Sequence, residues 1–464
     1  MALVQARRPV GVIGWLVLSA FVPGAAHLRA GWRRTGLVLV GLYAAGLLAL
    51  LWVVLSTDNL VGKVTEDSWL TSIMVGSAVL GVAWFALIVH SFVVLRPGRL
   101  SQGGQILAGT LAGVLAVAVV LPFAVSAQYV WTAQRAINDI FVNQPAAEER
   151  AQGRTEADPW AGRDRVNLLL IGGDGDDDRV GIRTDSMNVA SVDVKTGNAV
   201  LLSLPRNLED VRFPPGTPMA QKFPNGFRLP PDPGGGRSDL LNSVWEYADA
   251  HPELFGGRQH QGAQVLMDTI GYTLGLKLDW YVLVNIWGFA RIIDAIGGLT
   301  ITVEKDVVFG KYNEGLVKAG TRRLKGADAM WYARSRTYSD DFTRMRRQRC
   351  VLGALLQQAD PATVLTRFNR IALATKELIK TDIPRQRLKD LVPLALKVKG
   401  AKVSSIQFVP PLINTGNPDW DKIRTLVKKA IEARPSPASV AEAPKPRKTT
   451  PTPAATKGLD DGCA

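Results

Sequence analysis

Histidine and cysteine are nearly missing from this chain: four and two residues in 464. No Cys/His group has zinc spacing, and so few histidines leave little for a His-based metal site. Acidic side chains are outnumbered, 41 against 55 basic, and the net charge of +14 favours anionic partners: nucleic acid, anionic lipid or phosphate esters. Charge is also missing locally. Residues 37–55 and 104–130 have none, and residues 70–95 have only His90 as an exception. Each stretch can cross a hydrocarbon layer about 30 Å thick as a helix.

Residues 1–130 therefore read as a helical transmembrane region with three spans: 37–55, 70–95 and 104–130. The loop with Arg96 and Arg99 is basic, and the loop with Lys63, Glu66 and Asp67 is acidic on balance. The positive-inside rule puts the first in the cytoplasm and the second outside. Residues 9–26 are apolar too, but both flanks are basic and Pro23-Gly24 interrupts the run. A re-entrant or interfacial hairpin fits better than a fourth span. Everything beyond residue 130 is then extracytoplasmic, where nucleic acid is rarely met and lipid phosphates and wall polymers are. The chain reads as a multi-pass protein of the cell membrane.

Residues 131–163 read as a juxtamembrane helix and linker. Residues 166–171 form a buried strand ending at Gly172-Gly173, and residues 188–193 and 199–204 form a hairpin. Asp174 follows one strand, Asp185 precedes the second and Arg206 follows the third. In neighbouring strands the three would gather at one edge of the sheet, where open α/β sheets bind ligands. The Pro/Gly-rich segment 213–236 reads as a functional or disordered loop. Helices at 240–250, 262–274 and 289–296 alternate with strands at 280–284 and 299–303, which predicts an α/β sandwich. The Trp and Phe residues between 245 and 289 read as core. Residues 361–433 predict two helices, a strand at 403–409 and a last helix at 421–433. Residues 434–464 read as a Pro/Ala/Lys-rich tail ending near Cys463. In an oxidising compartment a Cys350–Cys463 disulfide is expected, with free thiols or an intermolecular bridge as the alternatives.

The densest basic stretch is 331–349, with six arginines. A helix over 341–359 has an apolar face through Leu352, Leu355 and Leu356. Stepping back by four places Gln348 and Arg344 on that stripe. Arg346 and Arg347 fall on other faces and read as solvated. An arginine facing inward needs a carboxylate or a ligand phosphate.

Seven ordered motifs carry a resemblance: LLLIGGD (168–174), RTDSM (183–187), LSLPRN (202–207), LLNSV (240–244), IDAIGGLTITV (293–303), LKGADAMWYARSR (324–336) and DFTRMRRQR (341–349). Over residues 164–358 the chain resembles the LytR-CpsA-Psr family of cell-wall glycopolymer ligases, in its actinobacterial form. The resemblance implies a three-layer α/β/α sandwich with a central mixed sheet, spanning residues 164–433 with a C-terminal α/β extension. It implies a phosphotransferase that moves a glycopolymer from a polyprenyl-pyrophosphate carrier to a muramic-acid hydroxyl of peptidoglycan. By motif, Asp174 and Asp185 match the acidic pair at Mg²⁺ (or Mn²⁺). Arg183, Arg206, Arg334, Arg336 and Arg344 match the phosphate-binding arginines, and Gln348 the glutamine. Asp185, Arg183, Arg206 and Arg334 are the implied catalytic set, with Asp185 as metal ligand or base. Asn207 stands where many members have Asp, and Asp176 where many have Arg. The rival readings are a membrane regulator or scaffold that only binds wall precursors, and a pyrophosphatase.

Overall fold

The computed structural model describes residues 9–56, 67–142, 153–155, 157–174, 183–233, 236–359, 379–432 and 457–458. Two compact units divide the chain, Met1–Arg135 and Ala136–Ala464.

The first unit is helical: α1 (Pro9–Phe21), α2 (Ala25–Arg29), α3 (Arg33–Ser56), α4 (Asp67–Val94) and the start of α5 (Gln102–Ile140). Three helical segments, Arg33–Ser56, Ser68–Arg99 and Gln102–Ile140, are long and apolar enough to cross a membrane. Helix α1 has 13 residues, a length of about 20 Å at 1.5 Å per residue, too short for a hydrocarbon core. The chain turns after it at Gly24, whose φ of +98° suits glycine and where a Cβ would lie 2.6 Å from the Gly36 carbonyl oxygen.

The second unit is built on a seven-stranded sheet: β1 (Arg165–Asp174), β2 (Arg183–Asp193), β3 (Ala199–Leu204), β4 (Trp280–Asn285), β9 (Ile379–Thr381), β10 (Val403–Gln407) and β11 (Lys457–Gly458). Their order is β11-β10-β3-β2-β1-β4-β9. The pairs β1–β4 and β3–β10 are parallel and the others antiparallel, so the sheet is mixed. Strands β5 (Leu299–Val303) and β8 (Gly320–Leu324) pair apart from it, as do β6 (Val307–Phe309) and β7 (Gly315–Val317). Beyond α5 the main helices are α6 (Val244–Ala250), α7 (Gly262–Leu274), α8 (Ile286–Ala295), α9 (Gly326–Arg334), α10 (Asp341–Gln358), α11 (Leu388–Lys399) and α12 (Trp420–Glu432).

Two hydrophobic clusters fill this unit among the described residues. Leu169, Ile171, Met187, Val189, Leu202 and Leu204 face a cluster completed by Leu266 and Ile270 of α7 and Ile423 and Val427 of α12. A second cluster joins Ile293, Leu299, Ile301, Leu324, Tyr332 and Val351, and seats α8, α9 and α10 around the β5–β8 pair. The strand predicted at 299–303 thus lies outside the central sheet.

The described part of the Pro/Gly-rich segment 213–236, residues 213–233 and 236, is anchored in the core. Phe213, Phe223 and Phe227 are buried in the first cluster, and Phe223 and Phe227 meet Tyr247 edge-on at 5.4 and 5.3 Å. Three aromatic anchors offset the ordering cost that its glycines and prolines suggested. Of the aromatics predicted as core, Trp245 and Trp280 are buried, whereas Trp287 is 57% exposed. It sits at the start of α8, on the side turned from both clusters. The second expected C-terminal helix is α11; the first, and the tail apart from β11, lie outside the described residues. β11 pairs with Ser404 and Ser405 at the sheet edge. Cys350 is disulfide-bonded; Cys463, the other cysteine, lies outside the described residues.

Candidate phosphate-binding site

Strands β1, β2 and β3 are neighbours and antiparallel, so the end of β1, the start of β2 and the end of β3 share one sheet edge. Asp174 pairs with Arg183 there. Gly172 pairs with Ser186 and Gly173 with Thr184, which leaves Asp185 as the extra residue of a bulge. A bulge re-aims the side chain it carries. The Asp185 carboxylate reaches Arg206, just past β3, with Arg206 Nη1 donating to Oδ1 at 2.7 Å.

Helix α10 closes the site. Its N-cap is Asp340, which accepts from the Thr343 amide at 2.7 Å. The next residue, Asp341, accepts from Arg206 Nε at 3.2 Å and from Arg344 Nη2 at 3.1 Å. Arg336 Nη1 stands 3.9 Å from Asp341, and Arg344 Nη1 stands 4.0 Å from Asp185. Three guanidinium groups thus surround two carboxylates. Gln348 lines the same spot with Asp185, Arg206 and Arg344, around a cavity of about 10 Å³, roughly the room of one water. Arg206 and Arg336 are the more accessible of the three arginines, with side chains 21% and 51% exposed.

Arg344 is 2% exposed. Burial, with Arg206 and Arg336 close by, lowers the pKa of its guanidinium, while Asp341 works the other way. Its Nε is buried without a hydrogen-bond partner, and so is Asn207 Oδ1.

Arg183 and Arg334 have contacts of their own. Arg183 is half-exposed and turns towards Glu246, with Nε 3.8 Å from Oε2. Arg334 ends α9 with its guanidinium 5.9 Å from the Trp331 ring. Asp174 is placed through its backbone only, and Asp176 lies outside the described residues. Segment 240–244 is tied to the site by the Asn242 amide, which donates to the Arg206 carbonyl at 3.0 Å.

Two side chains depart from the sequence reading. Arg347, expected on the surface, is buried. It donates to the carbonyls of Tyr332 and Ser335 at 3.2 and 2.8 Å and to Ser339 Oγ at 2.7 Å. The 335–339 segment folds back over that helix face and covers it. Arg346 is the exposed one, 4.0 Å from Glu304. Asp341 is the residue of this cluster that the sequence reading passed over. Its spacing of three from Arg344 on one helix face was the available signal.

Among the described residues no group of three or more His, Cys, Asp or Glu forms a cation cage. A divalent ion at this edge would have Asp185 and Asp174 as its protein ligands and draw other oxygens from phosphate and water. That donor set fits Mg²⁺, which keeps several waters and takes one or two carboxylates.

Known proteins bear on this geometry. The LytR_cpsA_psr family model matches residues 134–415. A polyisoprenyl-teichoic acid–peptidoglycan teichoic acid transferase TagU of Halalkalibacterium halodurans is 26% identical over 278 residues, 56% of this chain and 79% of that protein. One from Enterococcus faecalis is 25% identical over 308 residues, 65% of this chain and 86% of that protein. Among solved structures, B. subtilis TagV is 23% identical with a TM-score of 0.40, covering 59% of this chain and 99% of that one. With its family model spanning more than half of the sequence, the chain belongs to the LytR_cpsA_psr family.

Proposed function

We propose that this protein is a membrane-anchored phosphotransferase that moves a glycopolymer from a polyprenyl-pyrophosphate carrier onto a muramic-acid hydroxyl of peptidoglycan. Its second unit would work on the extracytoplasmic side, with the apolar helices of the first unit spanning the cell membrane. The observation that carries this reading is the site at the strand edge, where Arg206, Arg336 and Arg344 converge on Asp185 and Asp341. Relatives carrying the transferase name support the reaction class.

The chemistry follows from the charges. Phosphoryl transfer needs alignment and charge neutralisation more than covalent help. Arg206 and Arg336 are accessible enough to take phosphate oxygens, and Arg344 holds charge behind them in a dry position, where it counts for more. In the absence of substrate, Asp185 and Asp341 keep these guanidinium groups paired and aimed. A pyrophosphate offers the same arginines the oxygens that the carboxylates now supply.

The acceptor hydroxyl oxygen forms a bond to the sugar-side phosphorus, and the bond from that phosphorus to the bridging oxygen breaks. Polyprenyl phosphate leaves with the electron pair. The hydroxyl proton passes to Asp185 and then to solvent. Asp185 uses Oδ1 for Arg206, which leaves Oδ2 as the atom to receive it. Asp174 would hold Mg²⁺, joined by Asp185 only while its Oδ2 carries no proton; the ion when bound supplies further neutralisation of the pyrophosphate.

The test uses the full chain in detergent with a lipid-linked polymer and peptidoglycan. Wild type is expected to yield polyprenyl phosphate and polymer bound to peptidoglycan, and Arg206→Ala and Asp185→Asn neither. Undiminished product from both variants would refute the assignment. Tight precursor binding with no turnover by wild type would favour a scaffold.

A further inference from the structure

Helix α10 has a second working face. Asp341 and Arg344 turn to the phosphate site, while their neighbours Asp340 and Thr343 line a separate cleft of about 430 Å³. Glu304, Lys305, Tyr338 and Arg346 complete its polar wall. Successive residues of a helix point about 100° apart, so the cleft and the phosphate site lie on neighbouring faces of α10 at its N-terminal end. The volume lies within the range of about 300–1,000 Å³ typical of small-molecule sites.

The wall carries features that packing does not require. Tyr338 is 85% exposed, with its ring over solvent. Its φ is +55°, a left-handed backbone that bulky residues avoid. Such strain persists where surrounding structure holds it, and it gathers at ligand-binding positions. Here the hold is the Arg347 strap, which fixes Ser335 and Ser339 on either side, and Asn313 Nδ2, which donates to the Tyr338 hydroxyl at 3.4 Å. Glu304, Lys305 and Arg346 are exposed and offer both signs of charge within the same cleft.

We propose that this cleft is the acceptor subsite. It seats a short stretch of peptidoglycan, with a sugar ring on Tyr338 and the charged groups of its peptide met by Glu304, Lys305 and Arg346. The chemistry is that of a carbohydrate bearing both carboxylates and amines. An exposed tyrosine gives a flat apolar face for the sugar, and mixed charges select a zwitterionic peptide over a simple polyanion. An acceptor seated there reaches round the N-terminal turn of α10, from Asp340 to Asp341, to bring a hydroxyl to the phosphate arginines. This inference rests on the transferase reading above and adds where its second substrate binds.

The experiment measures equilibrium binding to the full chain in detergent. One probe is a soluble disaccharide-peptide fragment of peptidoglycan, and the other is geranyl pyrophosphate, which reports the phosphate site. Tyr338→Ala and Arg346→Ala should each weaken fragment binding about tenfold, the scale of a strong contact residue, and leave geranyl pyrophosphate binding unchanged. Equal fragment binding by wild type and both variants would overturn the proposal. So would wild type that binds geranyl pyrophosphate but not the fragment. If the fragment binds through Tyr338 while wild type transfers no polymer, the subsite stands and the transferase reading fails.

Discussion

Replacing Arg344 by methionine separates the function of the arginine cluster from its stability. Arg344 is 2% exposed and has ion pairs with Asp341 at 3.1 Å and Asp185 at 4.0 Å. Removing a buried charge normally strands its partner, at about 3–5 kcal/mol. Here neither partner is stranded: Arg206 lies 2.7 Å from Asp185 and 3.2 Å from Asp341. Three guanidinium groups around two carboxylates become two around two, and the repulsion of Arg344 by Arg206 and Arg336 disappears. Methionine fills much the same volume and leaves no orphaned Nε. Arg344→Met should therefore unfold within about 1 kcal/mol of wild type, a Tm shift of roughly 2–4 °C. Transfer should drop about 10²–10³-fold, the cost of removing one preorganised donor from a charged transition state. Turnover of a lipid-linked pyrophosphate and a thermal melt decide the matter. Full activity, or a loss of several kcal/mol in stability alongside the loss of activity, would refute this account of the cluster.

Other outcomes follow from the same geometry. Burial pushes the Asp382 carboxyl up to about 6 from an ordinary 3.8. Its stabilising protonation is fully present below pH 3.8 and lost as pH rises through about 6, a change of up to about 3 kcal/mol. Asp382→Asn keeps an acceptor for the Tyr281 amide and should be more stable than wild type above pH 6 but not near pH 4, as denaturant melts at both pH values would show. Arg347→Ala removes the strap to Tyr332, Ser335 and Ser339 and should cost about 2–4 kcal/mol and loosen the 335–339 segment; unchanged hydrogen exchange there would contradict it. Chelation of divalent ions should lower turnover, and Mg²⁺ should restore it in wild type but not in Asp185→Asn.

Much of this architecture could be read from residue patterns. Asp174 and Arg206 follow from apolar runs closed by Gly-Gly and Pro-Arg, Asp185 precedes the run that the Lys-Thr-Gly-Asn turn closes, and the antiparallel pairing brings the three to one edge. Spacing of four placed Arg344 and Gln348 on the inner stripe of α10, and both line the small cavity. What spacing cannot supply is the segment that folds over a helix from elsewhere. Residues 335–339 bury Arg347 on a face that an isolated helix would leave to water. The bulge at Asp185 is equally hidden, because it arises from the register of two strands and not from either one alone. For segment 213–236 the disordered alternative falls for a different reason. Its glycines and prolines dominate its composition, while Phe213, Phe223 and Phe227 decide its energetics.

The most direct test follows the phosphorus. A donor labelled with ³²P in the sugar-side phosphate is incubated with the full chain, Mg²⁺ and peptidoglycan. The account predicts that the label moves to peptidoglycan together with the polymer, while unlabelled polyprenyl phosphate accumulates. Label that stays on the lipid, or that appears only on polymer released into water, would contradict it.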